Sequence, residues 1–168
     1  MVGEQVAAFD QTIVEAPRPR QPDHELLVEF AVRGIPAPQG SKRAFRNKFS
    51  GRIQQVESSK AVGPWRERVA LAAETAMGLR SPLEGPLRLT LEFRFPRPAS
   101  HRGTKGLRAS APTIHAQRPD LSKLIRAVED ALTTIVWRDD AQVAVVDARK
   151  DWDDVTPAGM TLRVEVTR

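Results

Sequence analysis

The chain has no cysteine and no tyrosine. Without cysteine there is no disulfide framework, no thiolate zinc site and no cysteine nucleophile. That suits a reducing compartment. Aromatic residues make up only 5% of the 168 residues, so a base-stacking platform of the single-strand-binding type is poorly supplied. The three histidines, His24, His101 and His115, lack metal-binding spacing. A metal would therefore rest mainly on carboxylates, which means a hard cation such as Mg²⁺ or Mn²⁺. No apolar run approaches the ~18 residues that a membrane span needs. No membrane partner is expected. The opening MVGEQVAAFDQTIVEA carries acids and no basic stretch, which argues against a signal peptide and for a cytoplasmic location.

What is present is positive charge. Lys and Arg total 26 against 21 Asp and Glu, a net charge of +5. A small basic protein points to a polyanionic partner, most often nucleic acid. The excess falls in two acid-free stretches. Residues 33–52 hold Arg33, Lys42, Arg43, Arg46, Lys48 and Arg52; residues 96–118 hold Arg97, Arg102, Lys105, Arg108 and Arg118. Flexible cations and free backbone N–H groups suit phosphate contacts, although solvated loops carry the same composition. The segment GIPAPQGSK, residues 34–42, ends like a nucleotide-binding phosphate loop. Its glycine spacing is one residue too long, Ser41 separates Gly40 from Lys42, and two prolines remove N–H groups. A nucleotide triphosphatase is excluded.

Hydrophobic periodicity predicts an α+β fold, a small mixed or antiparallel sheet with two α-helices on one face. Residues 1–24, proline-rich toward their end, read as a flexible tail ahead of a single domain over 25–168. A strand is expected at 25–34 and a long loop or ragged hairpin at 35–56. A helix is expected over 58–79, capped by Ser58 or Ser59 or beginning near Pro64. The run PLRLTLEFRF, residues 86–95, alternates strictly and reads as a half-buried strand. Residues 120–134 form an amphipathic helix with Leu121, Leu124, Ile125, Val128 and Leu132 on one face. Strands follow at 142–150 and 160–167.

Acids cluster where the chain is otherwise basic: Asp139, Asp140, Asp147, Asp151, Asp153 and Asp154. The adjacent Asp139 and Asp140 repel each other unless paired, and a divalent cation would relieve that cost. Arg-Asp-Asp is also ordinary turn chemistry. Asp120, after Pro119, stands at a helix start, where an acid complements the helix dipole and a carboxylate can also be aimed rigidly outward. Ser122 and Arg126 share the helix face opposite the apolar stripe, and Glu129 and Asp130 continue it. Asp120 and the Asp139–Asp140 pair would meet only if a neighbouring strand brought them together.

The segment RPDLSKLIRAVEDALTTIVWRDDAQV, residues 118–143, resembles the core motif of RusA-type Holliday junction resolvases, common in phage and prophage genomes. GIPAPQGSKR resembles that family's strand and basic-loop opening. The resemblance implies a Mg²⁺-dependent endonuclease that resolves four-way DNA junctions as a homodimer, in the host cytoplasm if phage-encoded. It carries the metal ligands onto Asp120 and Asp140, with Asp139 beside them, and the family's catalytic lysine onto Arg126. Ser122 stands where the family has a second aspartate, and it is a weaker ligand. Asp139, Asp147 or a water would then complete the set. Arg126 keeps the cation but cannot give up a proton. Lys42, Arg43, Arg46, Lys48, Arg118 and Lys150 are expected on the DNA phosphates. Ser122 leaves open a second reading, a junction-binding protein with little or no catalysis.

Overall fold

A computed structural model describes residues 25–40, 42–46, 51, 53–57 and 60–167, with the backbone alone at 42–46 and 53–57. The tail expected at 1–24, the caps expected at Ser58 and Ser59, and Lys48 lie outside the described residues.

The central strand is the alternating run. β4 (Leu87–Phe95) turns Leu87, Leu89, Leu91, Phe93 and Phe95 into the core, because successive side chains of a strand point to opposite faces. It pairs antiparallel with β8 (Gly159–Val166) and parallel with β7 (Val143–Trp152). β8 pairs antiparallel with β1 (Glu25–Arg33), so the sheet order is β1-β8-β4-β7. At Gly159 a Cβ would sit 2.2 Å from the Val32 carbonyl oxygen, so only glycine lets β1 and β8 approach there.

Two helices cover the apolar face. α1 (Val62–Met77) buries Val62, Trp65, Val69, Ala73 and Met77, spaced three and four apart. Its N-cap is Ala61, without a side-chain cap, and Pro64 falls in the first turn, where a missing N–H costs little. α2 (Leu121–Leu132) buries Leu124, Ala127, Val128, Ala131 and Leu132. Both helices and the inner sheet face share one core. Burying each large side chain there contributes roughly 1.5–3 kcal/mol. The expected two-helix α+β architecture is the one found.

The outer sheet face is polar and charge-paired: Arg88 with Asp147, Arg149 with Glu92, and Arg163 with Glu29 at 3.1 Å. The stretch expected as a loop or ragged hairpin contains a two-stranded ribbon, β2 (Lys42–Arg46) with β3 (Ile53–Glu57). Residues 96–118 carry a short hairpin, β5 (Arg102–Gly103) with β6 (Gly106–Leu107).

One topological fact positions the site. β4, α2 and β7 form a strand–helix–strand crossover between parallel neighbours. The helix of such a unit runs back from the end of the first strand to the start of the second. α2 therefore begins beside the last residues of β4 and β7 and ends beside their first.

Candidate active site

Asp120 is the N-cap residue of α2, yet its side chain makes no capping hydrogen bond. The carboxylate is exposed and, among the described residues, pairs with Lys123, whose Nζ lies 3.5 Å from Oδ2. The backbone leading into it is tied down from below. Lys150 Nζ donates to the carbonyl oxygens of Gln117 at 2.5 Å and Pro119 at 2.7 Å. Lys150 was expected on a DNA phosphate; its ammonium is instead turned inward onto two carbonyls. Arg118 stays exposed beside Asp120. Ile35, Pro36, Pro38 and Phe95 wall an open cleft of about 660 Å³ that Arg118, Asp120 and Lys123 rim.

Asp140 stands at the opposite end of the helix. Trp137 Nε1 donates to Asp140 Oδ1 at 2.9 Å, and the hydroxyl of Thr133, the C-cap of α2, donates to the same oxygen. Thr133 and Asp120 flank a helix of 12 residues, so the two sites lie about 20 Å apart at roughly 1.5 Å of rise per residue. Ligand oxygens must come within ~2.0–2.6 Å of a common ion. Asp120 and Asp140 of one chain therefore cannot hold one metal together. Among the described residues no group of three or more His, Asp or Glu side chains is arranged to hold a metal.

The turn that carries Asp140 is pinned by its neighbours. Asp139, expected as a ligand beside Asp140, accepts the Ala141 N–H at 2.8 Å and caps a 3-10 turn over Asp140–Gln142. Gln142 Oε1 accepts the backbone N–H groups of Arg138 at 2.9 Å and Asp139 at 3.2 Å, and its Nε2 donates to Leu83 O at 2.9 Å. Adjacent acids are tolerated here because one is consumed by the backbone.

Between the two ends, Ser122, Arg126, Glu129 and Thr133 form one stripe, at three- and four-residue spacing. Ser122 and Arg126 are exposed, and Glu129 is half-buried. Burial raises the Glu129 pKa above its ordinary value, Asp140 and Asp130 push it further, and Arg126 opposes them. Glu129 is thus an acid that feels the charge of Asp140. The sequence placed it on this face without giving it a role. Its legible signal is the spacing of three from Arg126 and four to Thr133. Trp137 is a further contact of Asp140, and its legible signal is the spacing of three residues.

Two of the remaining clustered acids, Asp147 and Asp154, are spent on arginine side chains. Asp147, expected as a substitute ligand, is on the outer sheet face and pairs with Arg88. Asp154 takes the Arg97 guanidinium through both oxygens, at 2.7 and 2.9 Å from Nε, and this holds its carboxyl below the usual range. Arg97 lies over the Trp152 ring with only 3% of its side chain exposed, and Asp153 accepts its backbone N–H. His115, only 5% exposed, packs against Phe95 and Trp152, and that burial lowers its pKa. The stretch 96–118 is acid-free in sequence, but the turn after β7 supplies a counter-charge to Arg97 and Arg102.

The first basic stretch is rooted on α2. Gln39 donates from its backbone N–H to Lys123 O at 2.9 Å and from Nε2 to Asp130 at 2.9 Å. Lys42, Arg43 and Arg46 follow on β2, with Lys42 and Arg46 at positions of one strand face and Arg43 on the other.

Two comparisons bear on this arrangement. The family model described as endodeoxyribonuclease RusA matches residues 35–166, which include both ends of α2 and the ribbon. The chain is also 26% identical over 134 residues to the uncharacterized protein YqaN of Bacillus subtilis (strain 168), covering 76% of this chain and 89% of that protein.

Proposed function

The chain belongs to the RusA endodeoxyribonuclease family, a family of Holliday junction-resolving endonucleases, and on that premise we propose a homodimer that resolves four-way DNA junctions by paired, symmetric, Mg²⁺-dependent nicks. The observation that carries this reading is the separation of Asp120 from Asp140. Each is exposed, and each lies at one end of the same outward stripe. A two-fold related copy whose α2 runs antiparallel brings Asp120 beside the partner's Asp140, and does so twice. Two equivalent sites then face a substrate of roughly two-fold symmetry.

The donor chemistry suits the metal. Both groups are carboxylates, without thiolate or imidazole nearby, and neither spends both oxygens on the fold. Asp120 and the partner's Asp140 would hold the ion, Mg²⁺ or Mn²⁺. When bound, such an ion supplies charge neutralisation at the scissile phosphate and an activated water. Arg126, exposed at the middle of the stripe, stabilises negative charge on the phosphate. Its guanidinium keeps its proton, so it clamps and does not act as an acid. Lys150 holds the 117–119 backbone and thereby the start of α2. Arg118, Lys42, Arg43, Arg46 and Lys48 reach along the DNA arms, which gives binding a steep salt dependence. A protein with these substrates works in the cytoplasm.

Ser122 favours a second reading, a protein that binds junctions and cuts them weakly or not at all. Incubation of a synthetic four-way junction with protein and Mg²⁺ separates the two: symmetric nicks support the resolvase, and a retained, uncut junction supports the binding protein. Fork, flap and linear duplex in parallel report substrate choice. The composite site has its own test. Neither Asp120→Asn nor Asp140→Asn should nick alone. Subunits of the two variants, unfolded and refolded together, regenerate one intact site per mixed dimer and should recover single-strand nicking. Inactive mixtures that form dimers would remove the shared site.

A further inference from the structure

The buried tryptophans of this chain do not treat their N–H groups alike. Trp65 Nε1 and Trp152 Nε1 are buried with no hydrogen-bond partner among the described residues. Filling the core therefore does not require the indole N–H to be paired. Trp137, whose ring is likewise wholly buried, spends its N–H on Asp140 Oδ1. The backbone that carries it is tied down on both sides. Trp137 O accepts the Thr134 N–H at 2.6 Å, and Val136 O accepts the Leu83 N–H at 2.7 Å. The Thr133 hydroxyl reaches the same carboxylate oxygen from the end of α2. That hydroxyl has one proton; the Glu129 carbonyl oxygen at 3.0 Å competes for it, and Asp140 Oδ1 is the nearer acceptor. Among the described residues no hydrogen bond reaches Asp140 Oδ2.

We infer that Trp137 and Thr133 are positioning residues that clamp Oδ1 of Asp140 and present Oδ2, alone, to the divalent cation. A carboxylate on an exposed turn otherwise samples several rotamers, and a ligand held in one of them binds without that loss. The clamp also keeps Asp140 from chelating through both oxygens, which makes it a one-oxygen ligand. The inference rests on Asp140 being a metal ligand, as proposed above.

The test uses the full chain. Trp137→Phe keeps an aromatic ring in the core and deletes the N–H together with part of the ring volume, so its binding is read beside its melt. Thr133→Val keeps the shape and deletes the hydroxyl, and Thr133→Ser restores it. Mn²⁺ binding is measured without DNA by electron paramagnetic resonance, beside thermal melts of each variant. Junction cleavage is followed as a function of Mg²⁺ concentration. Loss of such a supporting partner costs about 10- to 100-fold in metal affinity. Trp137→Phe and Thr133→Val should weaken Mn²⁺ binding to that extent. The Mg²⁺ concentration for half-maximal cleavage should rise while the maximal rate stays within a few-fold. Thr133→Ser should bind as the parent does. Variants that fold and bind Mn²⁺ with unchanged affinity overturn the clamp. Should Trp137→Phe fail to fold, the Thr133 pair decides alone. Asp140→Asn separates the two levels: if it still binds metal and cuts, the role of Asp140 falls; if it is inactive while the clamp variants are indifferent, only the clamp falls.

Discussion

The two ends of α2 present the same chemical group in opposite ways. At the start, the Asp120 side chain makes no capping bond, and what is held is the chain leading to it, through the ammonium of Lys150 on two carbonyls. At the finish, the carboxylate of Asp140 is itself held, by Trp137 and Thr133, inside a turn that Asp139 and Gln142 lock to the Leu83 backbone. One end positions a backbone, the other positions a side chain. A helix start leaves N–H groups without partners and so attracts a free anion, whereas a carboxylate at a helix end faces the negative pole and needs donors of its own.

The comparison can be broken most sharply at the carboxylates. Asp120→Asn and Asp140→Asn should each lower junction cleavage on the order of 10³-fold, since each removes several kcal/mol of charge stabilisation. Junction binding, measured by gel shift in Ca²⁺, should stay nearly intact. An Asn variant at either end that cuts at the parental rate takes that end out of the site.

Lys150→Met probes the start of the helix. With the 117–119 backbone released, cleavage should fall about 10-fold. The slope of log binding constant against log salt should not move, because the ammonium faces carbonyls. A slope flatter by about 0.9 would instead reveal a phosphate contact. Ser122→Asp sharpens the same end from the other side. Adding a carboxylate one turn from Arg126 should tighten Mn²⁺ binding roughly tenfold, because ligand charge sets affinity at hard-cation sites. An unchanged constant would mean that another acid already serves there.

The smallest effect belongs to Glu129, beside Asp140. Its carboxyl is held above its ordinary pKa, so the folded chain binds that proton more tightly than the unfolded chain does. Its contribution to stability is full at acidic pH and is lost as pH rises through the raised value. Glu129→Gln removes the repulsion that remains at neutral pH. Melting at pH 7 should rise by about 1 °C, and the gain should vanish below the carboxylate range. Equal gains at both pH values would assign the effect to packing.

Most of the framework was legible locally. The alternation of β4 and the apolar stripe of α2 place their core residues because a strand repeats every two residues and a helix about every 3.6. Helix boundaries were less so: α1 starts at Val62, its cap is Ala61, and Pro64 is accommodated in the first turn. Charge was the least legible feature. Arg97 and Asp154 stand 57 positions apart, so part of a stretch that is acid-free in the sequence is paired in space. Lys150 is as hard to read, since its partners are backbone carbonyls that any sequence would supply.

The sequence by itself determined which residue types are available: carboxylates, one central arginine and a basic ribbon, with no thiol to take a softer metal. It also determined that Trp137 and Asp140 would be near, since they stand three positions apart. Only the tertiary structure decided that Asp120 and Asp140 stand apart. Parallel pairing of β4 with β7 requires the chain to cross the whole sheet between them, and α2 is the element that makes the crossing. Local periodicity specifies a helix but not which strand its far end will join. That choice, made by burial of the sheet as a whole, put the two acids at opposite poles.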